Sequence, residues 1–291
     1  MHEAGSGNRS GFAFMDPHLV CGKYRLSLDR PLVMGIVNIT PDSFSDGGRY
    51  FDPARAVAHA QQLVEEGADI LDIGGESSRP GAQPVSVDEE LRRVLPLIEA
   101  LADRGIPLSV DTVKPETMRM AIAAGATIIN DINALQAPGA LAAAAASDAA
   151  VCLMHMQGEP RTMQAAPNYS DVVAEVHGFL ARRVAAARQA GIAVERIIVD
   201  PGFGFGKRLA HNLALLRELA RFGGLGACVL AGLSRKSMLG ELTGRKVSQR
   251  DTASVAAVLI AAQNGAKILR VHDVAATRDA LAVWQAVQTK D

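Results

Sequence analysis

The sequence predicts an α/β fold: a closed (β/α)8 barrel preceded by a short N-terminal β-hairpin. Two regularities carry this expectation. After Pro31, short runs rich in Val, Ile and Leu alternate with longer stretches of helical period to the end of the chain. There are eight such runs, spaced roughly 32 residues apart. The runs are also continuously apolar rather than alternating, which suits parallel strands covered on both faces. A doubly wound open sheet alternates its elements in the same way, and periodicity does not separate the two. Eight regular units favour the closed barrel. The length of 291 residues is close to that of one such barrel.

Residues 1–12 are rich in Gly and Ser and are expected to be disordered. Residues 13–291 are expected to form a single domain, because no linker interrupts the chain after Pro31. Within 13–30, two short apolar stretches around Gly22 read as the hairpin. The strand runs are LVMGIVN (32–38), DILDIG (69–74), PLSVD (107–111), TIIND (127–131), AVCLMHM (150–156), RIIVDPG (196–202), CVLAGL (228–233) and KILRVHD (267–273). Helices are expected at 53–66, 88–103, 170–190 and 274–288, among others. Asp52 before Pro53 is a natural N-cap, and Gly67 and Gly105 stand where a helix should stop. The alanine run at 140–146 reads as a helix, alanine having the highest helix propensity.

Composition narrows the function. With 48% apolar and 21% charged residues, the balance is that of a globular protein, not of a disordered or fibrous one. A net charge of -1 gives no global field for nucleic acid, although a local anion site fits. No apolar run reaches the roughly 18 residues of a membrane span. The start of the chain lacks the pattern of a secretion signal. Three cysteines, Cys21, Cys152 and Cys228, lie far apart in no metal-ligand spacing, which suits a reducing compartment. The expectation is a soluble, cytoplasmic protein with neither a nucleic-acid nor a membrane partner.

The polar residues are informative by where they fall. The first run ends in Asn38, followed by ITPDSFSDGG, and the second leads into GGESSRPGA with Ser78 and Arg79. The third ends in Asp111, the fourth in Asn130-Asp131, the fifth at His155 and the sixth in Asp200. The seventh is followed by Ser234-Arg235-Lys236, and the eighth carries Arg270 and His272. A single Asp or Asn after a strand is ordinarily the cap of the next helix or part of a turn. Polar groups at all eight ends are another matter, because in a barrel these ends converge on one face.

Asp111, Asn130 and Asp200 offer acceptors for the planar N–C(NH2)–N edge of a pterin or guanine. Arg79, Arg270 and His272 suit phosphate oxygens. Asn38 offers a neutral oxygen, as Mg2+ takes when bound mainly through water and phosphate. The inventory suggests a flat heteroaromatic head with a phosphate tail. GFGFGK (202–207) has neither GxGxxG nor Walker spacing. Its glycines are expected to let backbone approach a ligand, with Phe203 or Phe205 as a packing wall. His155 is read as a packed, hydrogen-bonded histidine in preference to a ligand contact.

MGIVNITPDSFSDGG (34–48), GADILDIGGESSRPGA (67–82), SVDT (109–112), IINDI (128–132), LMHMQGEP (153–160), VDPGFGFGK (199–207), GLSRKS (232–237) and LRVHD (269–273) occur in this order. Together they resemble the dihydropteroate synthase family of the folate pathway, whose members have a pterin-binding TIM barrel. The resemblance implies a transferase. It would condense 6-hydroxymethyl-7,8-dihydropterin diphosphate with para-aminobenzoate to give 7,8-dihydropteroate and pyrophosphate. It further implies that Asp111, Asn130, Asp200 and Lys236 hold the pterin, with Met154 and Phe205 packing near it. Asp111, Asp200 and Lys236 would be the catalytic groups. Asn38, Ser78, Arg79, Arg270 and His272 would bind the diphosphate, with Asn38 also reaching Mg2+. Phe44, Pro80, Lys236 and Ser237 would form the para-aminobenzoate site. A homodimer through helices of the last third of the barrel and susceptibility as a sulfonamide target belong to the same implication. The family pattern has Thr where Ser78 stands here; the hydroxyl is kept and one methyl is lost.

Two rival readings are discriminated by residues. Methyltetrahydrofolate-dependent methyltransferases share the barrel and a similar Asp/Asn/Asp pocket but need no diphosphate clamp, against which stand Ser78-Arg79, Lys236 and Arg270-Val271-His272. A non-catalytic pterin binder should have eroded the first two loop motifs, and both are intact.

Overall fold

The structure, a computed structural model, describes residues 17–39, 53–77 and 81–288. An antiparallel hairpin, β1 (His18–Cys21) and β2 (Tyr24–Ser27), opens the described chain. Barrel strands and helices follow: β3 (Leu32–Asn38), α1 (Pro53–Glu65), β4 (Ile70–Gly74), α2 (Val87–Leu101), β5 (Leu108–Asp111), α3 (Pro115–Ala123), β6 (Ile128–Asp131), α4 (Ala140–Ala145), β7 (Ala150–Met154) and α5 (Val172–Gln189). The second half adds β8 (Ile197–Asp200), α6 (Leu209–Arg217), β9 (Cys228–Ala231), α7 (Ser237–Thr243), α8 (Asp251–Gln263), β10 (Ile268–Val271) and α9 (Val274–Gln288). Strands β3 to β10 pair in parallel with their chain neighbours, and β10 closes on β3. The open-sheet alternative is thereby excluded.

Every expected strand and helix is present, with ends that shift for local reasons. Helix α2 begins at Val87 because Ser86 accepts the N–H of Glu89 at 3.2 Å. Helix α5 begins at Val172 because Asp171 accepts the N–H groups of Val173 and Ala174 at 3.0 Å each. Gly67, at φ +98°, follows the end of α1 in the left-handed region, whereas α2 ends at Leu101 with Ala102 as its cap, ahead of Gly105 at φ +75°. Asp52 and the first dozen residues lie outside the described residues. Among the described residues, no helix is long and apolar enough to cross a membrane.

Strand alternation sorts the apolar side chains into two layers. Val33, Val37, Leu71, Ile73, Val151 and Leu153 face outward into a core shared with the helices. Leu32, Met34, Ile70, Ile128, Ile198 and Ile268 face inward and fill the lower barrel. The hairpin seals this lower end, with Leu19, Cys21 and Leu28 joining the inner cluster. Gly22, in the hairpin turn at φ +55°, donates its N–H to Asp148 O at 3.0 Å. Lys267 Nζ donates to Leu28 O at 2.8 Å. Both outside partners precede a barrel strand, which fixes the hairpin to the amino ends.

The three cysteines are free and buried. Burial pushes the thiols of Cys21 and Cys228 up to about 12 and raises that of Cys152 as well.

Leu19 is 1% exposed inside the plug. Leu19→Ala should therefore lower stability by about 2–5 kcal/mol, the usual cost of a buried leucine truncation. Denaturant unfolding checks this, and activity below the transition should stay close to that of the parent.

Candidate active site

The strand register puts the site in one layer. Asn38 pairs with Gly74, Gly74 with Asp111, and Asp111 with Asn130, so one row of positions crosses four strands at the carboxyl end. One layer deeper, Asp72 pairs with Ser109. Residues two apart on a strand face the same side, so Asp72 lies beneath Gly74 inside the barrel. Gly74 itself leaves room: a Cβ there would meet Asn38 Oδ1 and Asp111 Cβ at 3.5 Å.

Asp72 is fully buried. Its carboxylate accepts from Ser109 Oγ at 2.6 Å, from Asn130 Nδ2 at 3.1 and 3.3 Å, and from Arg270 Nε at 2.6 Å. Arg270 Nη2 reaches Asp111 Oδ2 at 2.9 Å, so one guanidinium spans two carboxylates. Burial pushes the Asp111 carboxyl up to about 7 against the pull of Arg270, and the charge of Asp72 adds to the rise. Burial opposes the charge of Arg270, but Asp72 and Asp111 outweigh it and hold the guanidinium firmly protonated.

Asp200, at the end of β8, accepts the N–H of Gly202 at 2.7 Å. Burial raises its pKa, while Gly202, Lys236, Lys207 and Arg270 restrain the rise. The next turn depends on glycine. At Gly202 (φ +70°) a Cβ would lie 2.0 Å from His155 O, and at Gly206 (φ +64°) 2.4 Å from Gln157 O. These glycines allow close packing of backbone on backbone. Phe203 turns into the helix-side core, and Phe205 turns to the mouth, where it packs with Met154, Ile132 and Met163. Lys207 is 3% exposed beneath the turn, within 3.0 Å of His155 Nδ1. His155 is thus a packed, hydrogen-bonded residue, its pKa pushed down to about 3 by burial and by Lys207.

Lys236 is presented by a strained loop. Arg235, a non-glycine residue at φ +57°, is pinned by its N–H to Ser254 Oγ at 2.9 Å and its Nε to Asp251 Oδ1 at 2.7 Å. Arg250 Nη1 donates to the carbonyls of Arg235 and Lys236 at 3.2 and 3.4 Å. The Lys236 ammonium sits 4.2 Å from the centre of the Phe205 ring, and burial lowers its pKa to about 8. His272 Nδ1 and Ser234 Oγ are 2.9 Å apart, which joins the last strand to the same loop. Ser237 is exposed at the start of α7.

Asp111, Asn130, Asp200, Lys236, Arg270, Met154 and Phe205 therefore face one mouth, with Asn38 and His272 on its rim. Ser78, Arg79, Pro80 and Phe44 lie outside the described residues. Three further residues belong to the site: Asp72, Ser109 and Lys207. The run DILDIG carries two acids, and the strand register singles out Asp72 as the one facing the site. Arg270, expected on the diphosphate, spends two of its donors on carboxylates, so its first task is to hold the floor.

Removing one member of a buried ion group strands the others. Asp72→Asn should cost about 3–5 kcal/mol of stability, against about 1.5–3 kcal/mol for Ser109→Ala, which deletes one hydrogen bond to a carboxylate. Denaturant titration of both variants measures the contrast, and equal costs would show Asp72 to be dispensable.

Residues 34–272 match the model of the pterin binding enzyme family. The chain is 53% identical over 262 residues to the dihydropteroate synthase of Escherichia coli K12, covering 90% of this chain and 93% of that one. It is 53% identical over 262 residues to the enzyme of Haemophilus influenzae, covering 90% and 95%. Among solved structures, Xanthomonas albilineans dihydropteroate synthase with 4-aminobenzoic acid is 61% identical, with a TM-score of 0.89 over 94% of this chain and 99% of that one. The Burkholderia cenocepacia enzyme complexed with 7,8-dihydropteroate is 52% identical, with a TM-score of 0.87 over 95% and 98%. On fold, on site and on kinship at this level, the chain belongs to the dihydropteroate synthase family.

Proposed function

We infer that the chain joins 6-hydroxymethyl-7,8-dihydropterin diphosphate to para-aminobenzoate, releasing pyrophosphate and forming 7,8-dihydropteroate. The observation that carries the reading is the dry, acid-lined floor: Asp111, Asn130 and Asp200 beside Lys236, under the apolar wall of Met154 and Phe205. The carboxylates there receive the amino-pyrimidine edge of the pterin as paired N–H donors. Lys236 donates to the pterin carbonyl, which keeps its charge away from the reacting carbon. Ser78, Arg79 and His272 take the diphosphate, with the Arg270 donor that the carboxylates leave over. Phe44 and Pro80, with Lys236 and the exposed Ser237, take para-aminobenzoate.

The chemistry follows from the reactants. An aniline amine is neutral and weakly nucleophilic, whereas diphosphate leaves readily once its charge is neutralised. The methylene carbon–oxygen bond breaks first, and its electron pair departs with the pyrophosphate. The amine nitrogen then bonds to the pterin methylene and gives up a proton. Asp111 and Asp200 stabilise the positive charge spread over the pterin, an effect magnified where water is excluded. Asn38 is a partly exposed amide at the rim, with its oxygen beside Gly74, a fit for Mg2+ bound chiefly through water and phosphate. Such an ion supplies charge neutralisation of the leaving group.

The assembly proposed is a homodimer through the α7–α8 side. Helix α8, DTASVAAVLIAAQ, is mostly apolar between its ends, and Leu242, Val247 and Ile260 are 53%, 52% and 44% exposed. A helix of that composition is normally covered. Three free, buried cysteines support a place in the cytoplasm.

Two outcomes are expected. Dihydropteroate formation should require both substrates, and Asp200→Asn should lower kcat by two orders of magnitude or more with the fold intact; near-parent turnover would sink the cation-stabilising role. Ile260→Arg should convert a dimer to a monomer in light scattering, and an unchanged mass would place the contact elsewhere.

A further inference from the structure

We propose that Lys207 is a positioning residue for the reaction: from beneath the 202–206 turn its ammonium fixes the direction of the Asp200 carboxylate and of the Phe205 ring, and supplies the buried positive charge that keeps Asp200 ionised. The inference rests on the reading that Asp200 binds the pterin. Lys207 Nζ donates to the carbonyls of Gly202, Phe205 and His155 at 2.8, 3.0 and 3.2 Å. His155 Nδ1, at 3.0 Å, shares one of the three N–H donors with the His155 carbonyl. A neutral His155 with its proton on Nε2 presents the lone pair that this contact requires.

The chain of contacts leads to the pterin floor. Lys207 holds the Gly202 carbonyl, and the Gly202 N–H holds Asp200 Oδ1 at 2.7 Å. Lys207 also holds the Phe205 carbonyl, and the Phe205 ring lies under the Lys236 ammonium. The turn is secured from outside as well, since Gly204 donates to Asn212 Oδ1 at 2.8 Å and Tyr169 donates to Gly206 O at 2.9 Å. Those neutral contacts would serve a purely architectural turn. A lysine with 3% exposure is expensive to bury, and no carboxylate oxygen touches it among the described residues. Its positive charge is therefore the feature that calls for a use. The ionisable and charged groups facing it are His155, Asp200, Lys236 and, from the following helix, His211. Of these only Asp200 carries negative charge, and burial alone would push its proton on. Burial likewise lowers the pKa of Lys207 to about 7, with Asp200 opposing the fall, so the two charges support each other.

The sign is then set. Pterin binding to the ionised carboxylates weakens as pH falls through their pKa values, and loss of the Lys207 charge moves that acid limb upward. Binding of 6-hydroxymethyl-7,8-dihydropterin by calorimetry across the acid and neutral range reads it. Lys207→Gln keeps hydrogen bonding and discards charge. Its limb should move up by about one pH unit or more, which is about tenfold weaker binding on that limb. Lys207→Arg keeps charge but misfits three converging carbonyls, and it should bind more weakly at every pH with its limb unmoved.

A folded Lys207→Gln variant with the parental limb overturns the proposal, whatever its melting temperature. If the glutamine variant does not fold, the arginine variant decides, and a parental affinity or a displaced limb overturns it. Asp111 contributes to the limb in each protein, so the displacement is the readout. In an Asp200→Asn background the Lys207→Gln displacement should vanish; its persistence would assign the effect to another group and overturn the proposal. If Asp200→Asn alone leaves pterin affinity intact, the reading of Asp200 as a pterin ligand fails, which is a separate result from a failure of Lys207.

Discussion

One guanidinium shared between two carboxylates organises the centre of this barrel. Asp72 and Asp111 come from adjacent strands, and Arg270 stands between their carboxylates. Asn130 and Ser109 use the remaining lone pairs of Asp72, so the group is closely satisfied on the side away from the mouth. A buried ion group of this kind adds little net stability compared with well-packed apolar residues. Its contribution is direction. Asp111 is held at a fixed angle toward the mouth, and Asn130 is turned with it.

The layer beneath gives that direction its force. The lower barrel is filled by aliphatic side chains and closed by the hairpin, so little water lies below the charged row. Each charge in the upper layer then acts across a poorly screening medium. The same dryness shifts the titration of Asp111, Asp200, Lys207 and Lys236 away from their ordinary values, always toward the neutral form. Mutual pairing opposes that shift, and a cationic pterin would meet a floor that is already oriented.

Much of this was legible in the sequence. Eight continuous apolar runs, each ending in polar residues, are enough to define a barrel and to say which of its faces carries chemistry. Asn38, Asp111, Asn130 and Asp200 were readable because they stand at strand ends, where position along the chain translates into place on the mouth. Asp72 was not, because DILDIG contains two acids and only the register tells that Asp69 lies at the lower end with Arg30 and Arg278 while Asp72 points inward. Phe203 and Phe205 are two residues apart in one glycine turn, and no period separates the core residue from the wall. Lys207 ends a motif that reads as backbone chemistry, and its partners are carbonyls, which every residue possesses. The strand ends were encoded by pattern, whereas these others depend on turns whose course only three dimensions give.

The sulfur chemistry of the chain has a practical side. All three thiols are enclosed and kept protonated by their surroundings, so neither alkylating reagents nor disulfide exchange finds a ready thiolate in the native protein. A cysteine introduced on the rim would be a solitary reactive handle, and a fluorophore or spin label attached there would report on the two leading loops against a silent background.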